Sequence, residues 1–139
     1  MPKTALIVED EIFVALDLER ILLDAGYQVA AIAADRDSAL EAAVEAGPQG
    51  CFAFVDINLR DGPTGPDIAR RMAREHGIKV IFVTANPTQI GSDHEAVGYI
   101  RKPFTERSIL AAAAACSAAS EQTGAANDDL IRLDRGRVG

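Results

Sequence analysis

Short, continuously apolar runs alternate with longer amphipathic ones along this chain. Thr4-Ala-Leu-Ile-Val8, Cys51-Phe-Ala-Phe-Val55 and Lys79-Val-Ile-Phe-Val83 are of the first kind. Strands buried on both faces read this way, because helices cover both sides of a parallel sheet. Residues 28–33 form a weaker strand pattern and residues 97–101 a short one. Between them, residues 11–25 carry Ile12, Ala15, Leu16, Leu22 and Leu23 at helical spacing and stop at Gly26. Residues 37–46 start at Asp37, a capping residue, and stop before Gly47. Residues 66–76 have Pro66 in the first turn and Gly77 just past the end. Residues 105–120 form a last, alanine-rich helix capped by Thr105, with Ile109 and Leu110 facing inward. Asp, Thr or Pro at a helix start and Gly beyond its end are the expected punctuation.

Strand and helix alternating about five times define an α/β doubly wound fold. Right-handed crossovers make successive strands parallel, so their C-terminal ends share one edge of the sheet, where such folds place their sites. A chain of 139 residues makes one domain, assigned to residues 1–120. Residues 121–139 are polar and glycine-spotted, a flexible end or short docking segment too small for an output module. Only fourteen residues, 85–98, separate Thr84 from Tyr99, and they include Pro87 and Gly91. The fourth helix is therefore short or irregular, at best a turn or two around residues 92–96.

The net charge of −7 argues against a nucleic-acid surface, which needs clustered Lys and Arg. No apolar run approaches the length of a membrane span, and the start lacks the features of a signal peptide, so a cytoplasmic location is expected. Cys51 and Cys116 fit no metal spacing and read as small buried hydrophobes.

The strand ends carry the chemistry. The first run ends in Glu9-Asp10-Glu11, the third in Asp56, the fourth in Thr84 and the fifth in Lys102-Pro103. Topology alone gathers these residues into one pocket. Glu9, Asp10 and Asp56 side by side would raise one another's carboxyl pKa values, a conflict that a hard divalent cation removes. Magnesium takes oxygen ligands, keeps several waters, and commonly uses one or two carboxylates with phosphate oxygens. Lys102 and the Thr84 hydroxyl can then donate to oxygens of a group held on Asp56. A carboxylate nucleophile, a metal and a lysine are the parts phosphoryl transfer needs. Glu11 reads more simply as a charge favouring a helix N-terminus.

These stretches resemble the receiver domain of two-component response regulators. The matching segments are Leu6-Ile-Val-Glu-Asp-Glu11, Val55-Asp-Ile-Asn-Leu59 with Asp61-Gly62, Phe82-Val-Thr-Ala85 and Gly98-Tyr-Ile-Arg-Lys-Pro-Phe104, over about the first 120 residues. The resemblance implies a flavodoxin-like, five-stranded parallel sheet of order 2-1-3-4-5. It implies that Asp56 accepts a phosphoryl group from a sensor histidine kinase or phosphotransfer protein in an Mg2+-dependent reaction. Asp10 would bind the ion directly, Glu9 through water, and Asp56 and the Asn58 backbone carbonyl would complete the protein ligands. Lys102 would bond the phosphoryl oxygen, with a cis peptide to Pro103. Thr84 and Tyr99 would form the coupled switch pair, and Asn58 and Asn86 match positions that tune dephosphorylation. The output would be phosphorylation-dependent binding of a downstream protein, with homodimerisation possible and no direct contact to nucleic acid or membrane. The chain would catalyse only its own phosphorylation and dephosphorylation and act as a switch, not an enzyme.

Alternatives are a phosphate sink or relay, and a receiver-like binding module that is never phosphorylated. A haloacid-dehalogenase-like phosphatase would need a second carboxylate two residues past the nucleophile, where Asn58 stands. A flavodoxin-like cofactor binder would need a Ser-, Thr- and Gly-rich first loop, and Glu9-Asp10-Glu11 would repel a phosphate there.

Overall fold

The structure is a computed structural model and describes residues 4–46, 51–90, 95–117 and 131–132. Its strands are β1 (Thr4–Val8), β2 (Gln28–Ala33), β3 (Cys51–Val55), β4 (Lys79–Thr84), β5 (Gly98–Arg101) and β6 (Ile131–Arg132). Its α-helices are α1 (Ile12–Asp24), α2 (Arg36–Ala46), α3 (Gly65–His76) and α4 (Glu106–Ser117). The sheet order is β2-β1-β3-β4-β5-β6. The first five strands pair in parallel, in the order 2-1-3-4-5 the sequence implied. β6 was not anticipated. It is antiparallel to β5, pairing Ile131 with Tyr99 and Arg132 with Gly98. Part of the expected polar tail thus adds a backbone ladder to the sheet edge, a pairing that needs no apolar pattern; residues 121–130 and 133–139 lie outside the described residues.

The central strands are apolar on both faces because each face is roofed. Leu6, Val8, Ala53, Val55, Val80 and Phe82 meet Ala39 and Ala43 of α2 and Ile68, Ala69 and Met72 of α3. Ala5, Ile7, Phe52, Phe54, Ile81 and Val83 meet Ala15, Leu18, Ile21 and Leu22 of α1 and Ile109, Ala112, Ala113 and Cys116 of α4. Burying one large aliphatic or aromatic side chain contributes roughly 1.5–3 kcal/mol. Consecutive residues of one strand therefore anchor opposite layers. β2, at the sheet edge, alternates exposed and half-buried positions, which explains its weaker pattern. Both cysteines are buried, as their apolar settings implied.

Two local readings change, in α1 and at the start of α2. In α1 the buried stripe is Ala15, Leu18, Ile21 and Leu22, while Ile12, Leu16 and Leu23 are exposed. α1 is apolar around more than one face, so periodicity admits two registers, and packing on the sheet selects the one with small Ala15 inward. The α2 cap is Asp35, not Asp37: Asp35 Oδ1 accepts from Ser38 N–H at 3.0 Å and from Ser38 Oγ at 2.7 Å. Between β4 and β5 the described residues contain no α-helix, only a 3-10 turn at Pro87–Gln89. Of the turn expected around 92–96, residues 92–94 lie outside the described residues, and Glu95 and Ala96 are not helical. In α4, Thr105 caps as expected, its Oγ1 accepting from Ser108 N–H at 3.0 Å; Ile109 is buried and Leu110 half-buried, and the helix ends at Ser117, the expected residues 118–120 lying outside the description.

Candidate phosphoacceptor site

Backbone hydrogen bonds carry the strand ladders one residue past each strand end and fix the site. Glu9 N–H donates to the Ala33 carbonyl at 2.8 Å, Asp56 N–H to Val8 at 2.9 Å and Lys102 N–H to Thr84 at 2.9 Å. The residues that leave β1, β3 and β5 are thereby held in the register of the sheet, although each already belongs to a loop. Glu9, Asp56 and Thr84 are buried, Lys102 is half-buried and Asp10 exposed.

Lys102 Nζ lies 3.1 Å from Asp56 Oδ2 and 3.1 Å from Glu9 Oε1. One ammonium bridges two carboxylates from different strands. Toward Asp56 it makes a directed hydrogen bond; toward Glu9 it makes an ion pair whose geometry leaves Oε1 without a directed donor. The other Glu9 oxygen accepts from Glu11 N–H at 3.2 Å. Oxygens of Glu9, Asp10 and Asp56 all lie within 4.8 Å of one another. An all-oxygen donor set, three carboxylates and one buried oxygen without a directed donor fit a small hard cation.

Burial pushes the Glu9 carboxyl up to about 7, and the Asp56 charge adds to the rise; Lys102 and the Glu11 N–H oppose it and lose. For Lys102, burial works against the charged form. Attraction and hydrogen bonding from Glu9, then Asp56, outweigh it and hold its pKa above the usual lysine value. The pocket thus keeps its cation and strains its buried acid.

Thr84 Oγ1 accepts from Asn86 N–H at 2.9 Å, which leaves its own hydrogen to donate. Asn58 N–H donates to Asp56 Oδ1 at 3.4 Å, and the Asn58 side chain points to solvent, paired with Gln89. Tyr99 is half-buried against the core on the α2 and α3 side of the sheet. The Lys102–Pro103 peptide is cis. The structure therefore gathers Glu9, Asp10, Asp56 and Lys102 directly, sets Thr84 on the neighbouring strand end, and leaves Tyr99 on β5 away from the carboxylates.

Gly65 was not singled out in the sequence. The stretch before α3 turns, with Thr64 Oγ1 donating to Asp61 Oδ1 at 2.8 Å. But a Cβ on Gly65 would sit 2.2 Å from the Asp56 carbonyl oxygen and 2.5 Å from Ile57 Cα. The start of α3 rests on the backbone that carries Asp56. Thr64 takes the cap position, so Gly65 falls inside the first turn, and a poor helix former there was the available signal. Phe13 was missed as well: it is 83% exposed on α1. With Leu16, Pro103 and Phe104 it lines a cavity of about 810 Å³ that reaches Lys102.

A doubly wound α/β domain with acidic groups and a lysine at the C-terminal edge of its sheet has its polar cluster where such folds bind ligands. Comparison with known proteins makes the assignment specific. Residues 5–114 match the response regulator receiver domain, and the chain belongs to that family. It is 34% identical over 113 residues to the phyllosphere-induced regulator PhyR of Methylorubrum extorquens, covering 80% of this chain and 42% of that protein. The receiver domain of Erythrobacter litoralis PhyR superposes with a TM-score of 0.71 at 30% identity, covering 88% of this chain and 96% of that one. A variant of the anti-anti-sigma factor PhyR from Bartonella quintana gives 0.68 at 29% identity, covering 84% and 48%. The chain spans about half the length of the full-length relatives it matches. Among the described residues no helix is long and apolar enough to cross a membrane.

Proposed function

We propose that the chain is a response-regulator receiver that takes a phosphoryl group on Asp56 from a histidine-phosphorylated donor and signals by binding another protein. An Asp56 oxygen attacks phosphorus, the P–N bond breaks, and the histidine nitrogen leaves with the bonding pair and takes up a proton. Lys102 Nζ and the Thr84 hydroxyl donate to the phosphoryl oxygens, stabilising charge where it develops. Asp10, Asp56 and the Asn58 carbonyl would hold Mg2+, with Glu9 acting through water, and the ion would supply neutralisation of the carboxylate and phosphoryl charges. The observation that carries this reading is Lys102 Nζ at 3.1 Å from both Asp56 and Glu9, in a pocket with three converging carboxylates.

The exposed Ile12, Phe13 and Leu16, beside a cavity that opens toward Lys102, suit the docking of a protein donor next to the acceptor. Thr84 and Tyr99, on paired strands, form the switch: drawing the hydroxyl toward phosphate vacates space for the ring. The polar groups of Asn58 and Asn86 tune the phosphoryl lifetime. The state change is a population shift, driven only by contacts the phosphoryl group makes better in one state.

The test is incubation with acetyl phosphate and Mg2+ followed by intact mass and peptide mapping. One phosphoryl group on Asp56 is expected, lost in Asp56→Asn and in the presence of EDTA. No mass gain, and no spectral response to beryllofluoride, leaves a binding module that works without phosphorylation. Phosphoryl transfer onward to a histidine protein identifies a relay or sink instead.

A further inference from the structure

We infer that Gln89 is a positioning residue that sets how long the phosphoryl group stays on Asp56; the inference rests on the function proposed above. Asn58 Nδ2 donates to Gln89 Oε1 at 2.9 Å, and Gln89 Nε2 reaches back to Asn58 Oδ1 at 3.5 Å. This reciprocal amide pair joins the loop after β3 to the turn after β4. Both ends are tied to the site. On one side Asn58 N–H donates to Asp56 Oδ1, and on the other Asn86 N–H donates to Thr84 Oγ1. The turn carrying Gln89 is itself fixed: Gln89 N–H bonds the Asn86 carbonyl at 3.0 Å, Ile90 N–H bonds Pro87 at 3.0 Å, and Ile90 is buried. Gln89 thus reaches Asn58 from an anchored base.

Loss of the phosphoryl group is hydrolysis. A water oxygen attacks phosphorus, the bond from phosphorus to the Asp56 oxygen breaks, the carboxylate leaves with the electron pair, and the water proton passes to phosphate or solvent. The side chain of Asn58 begins two residues from the acceptor, at the rim of the pocket. Gln89 holds the Asn58 carboxamide in this orientation by one hydrogen bond of 2.9 Å and a longer return contact of 3.5 Å. Released, it turns freely and its oxygen can orient the attacking water. The pair therefore slows hydrolysis. One net hydrogen bond between these exposed side chains corresponds to about a fivefold effect, about 1 kcal/mol.

Wild type, Gln89→Ala, Gln89→Met, Asn58→Ala and the Asn58→Ala/Gln89→Ala double variant are phosphorylated with acetyl phosphate and Mg2+. The donor is removed and the phosphorylated fraction is followed by intact mass. Both Gln89 variants are expected to lose the group about fivefold faster, with unchanged Mg2+ affinity and uptake rate. In the Asn58→Ala background the Gln89 substitution should add nothing. Lifetimes equal to wild type in the Gln89 variants, or the same acceleration with Asn58 absent, overturn the inference. A wild-type protein that takes up no phosphoryl group overturns the proposed function as well, and that outcome is visible before any variant is made.

Discussion

Replacing Glu9 by Gln removes a charge the fold holds at a cost. The Glu9 carboxyl rises from its ordinary 4.5 to about 7 because it is buried and faces Asp56. A group whose pKa is raised on folding contributes its stability below the unfolded value and loses it as pH climbs through the folded value. For the metal-free protein, the loss therefore runs between about pH 4.5 and pH 7. Integrated over that window it is roughly 3 kcal/mol, a large share of the 5–15 kcal/mol that holds a typical domain together. Gln keeps the shape and the polar end without titrating. Urea unfolding in EDTA should then find the two proteins within about 1 kcal/mol at pH 5 and Glu9→Gln more stable by about 3 kcal/mol at pH 8. Saturating Mg2+ should narrow the gap at pH 8, because the ion gains more from the carboxylate than from the amide. The difference reports Glu9 together with the two charges it faces, Asp56 and Lys102. A gap that does not change between pH 5 and pH 8 refutes the electrostatic account of the pocket.

Three further substitutions probe its supports. Gly65→Ala should destabilise by about 1–3 kcal/mol by thermal unfolding and weaken Mg2+ binding, because the new methyl group meets the Asp56 and Ile57 backbone. Phe13→Ala should leave stability within about 0.5 kcal/mol, since the ring is exposed. The same variant should slow phosphoryl transfer from whichever histidine-phosphorylated protein serves wild type best, while acetyl phosphate reacts as before; equal slowing with both donors removes α1 from the docking surface. Lys102→Ala should keep part of the phosphoryl uptake but lose the beryllofluoride-induced NMR shifts along β5, and a fully normal response contradicts the proposed clamp.

The fold was legible because the apolar runs are continuous only where the sheet is roofed on both faces, and β1, β3 and β4 are of that kind. Once the strands are parallel, Glu9, Asp56, Thr84 and Lys102 must come together, so the pocket followed from topology with no knowledge of distances. What failed did so for local reasons. α1 is apolar on more than one face, so its spacing could not say that Phe13 and Leu16 stay outside. Asp35 and Asp37 are both adequate caps, and only the Ser38 hydrogen bonds choose between them. The Asn58–Gln89 pair spans 31 positions and involves two residues with no pattern of their own. The pairing of β6 with β5 is a backbone match that side-chain type hardly marks.

The strained acid and the bridging lysine belong to one design. An empty pocket in which Glu9 and Asp56 were fully satisfied would gain little from a cation or a phosphoryl group. One in which Lys102 is shared between two carboxylates, and Glu9 Oε1 lacks a directed donor, has interactions still to make. A cation among Glu9, Asp10 and Asp56 would offset the repulsion that Lys102 balances alone, and the ammonium would then be free to turn toward a phosphoryl oxygen. Lys102 N–H is bonded to the Thr84 carbonyl, and Arg101 pairs with Thr84 in the β4–β5 ladder, so the lysine is anchored directly after the strand that also carries Tyr99. Under the proposed function, that anchoring would let the charge state of the pocket be felt at β5.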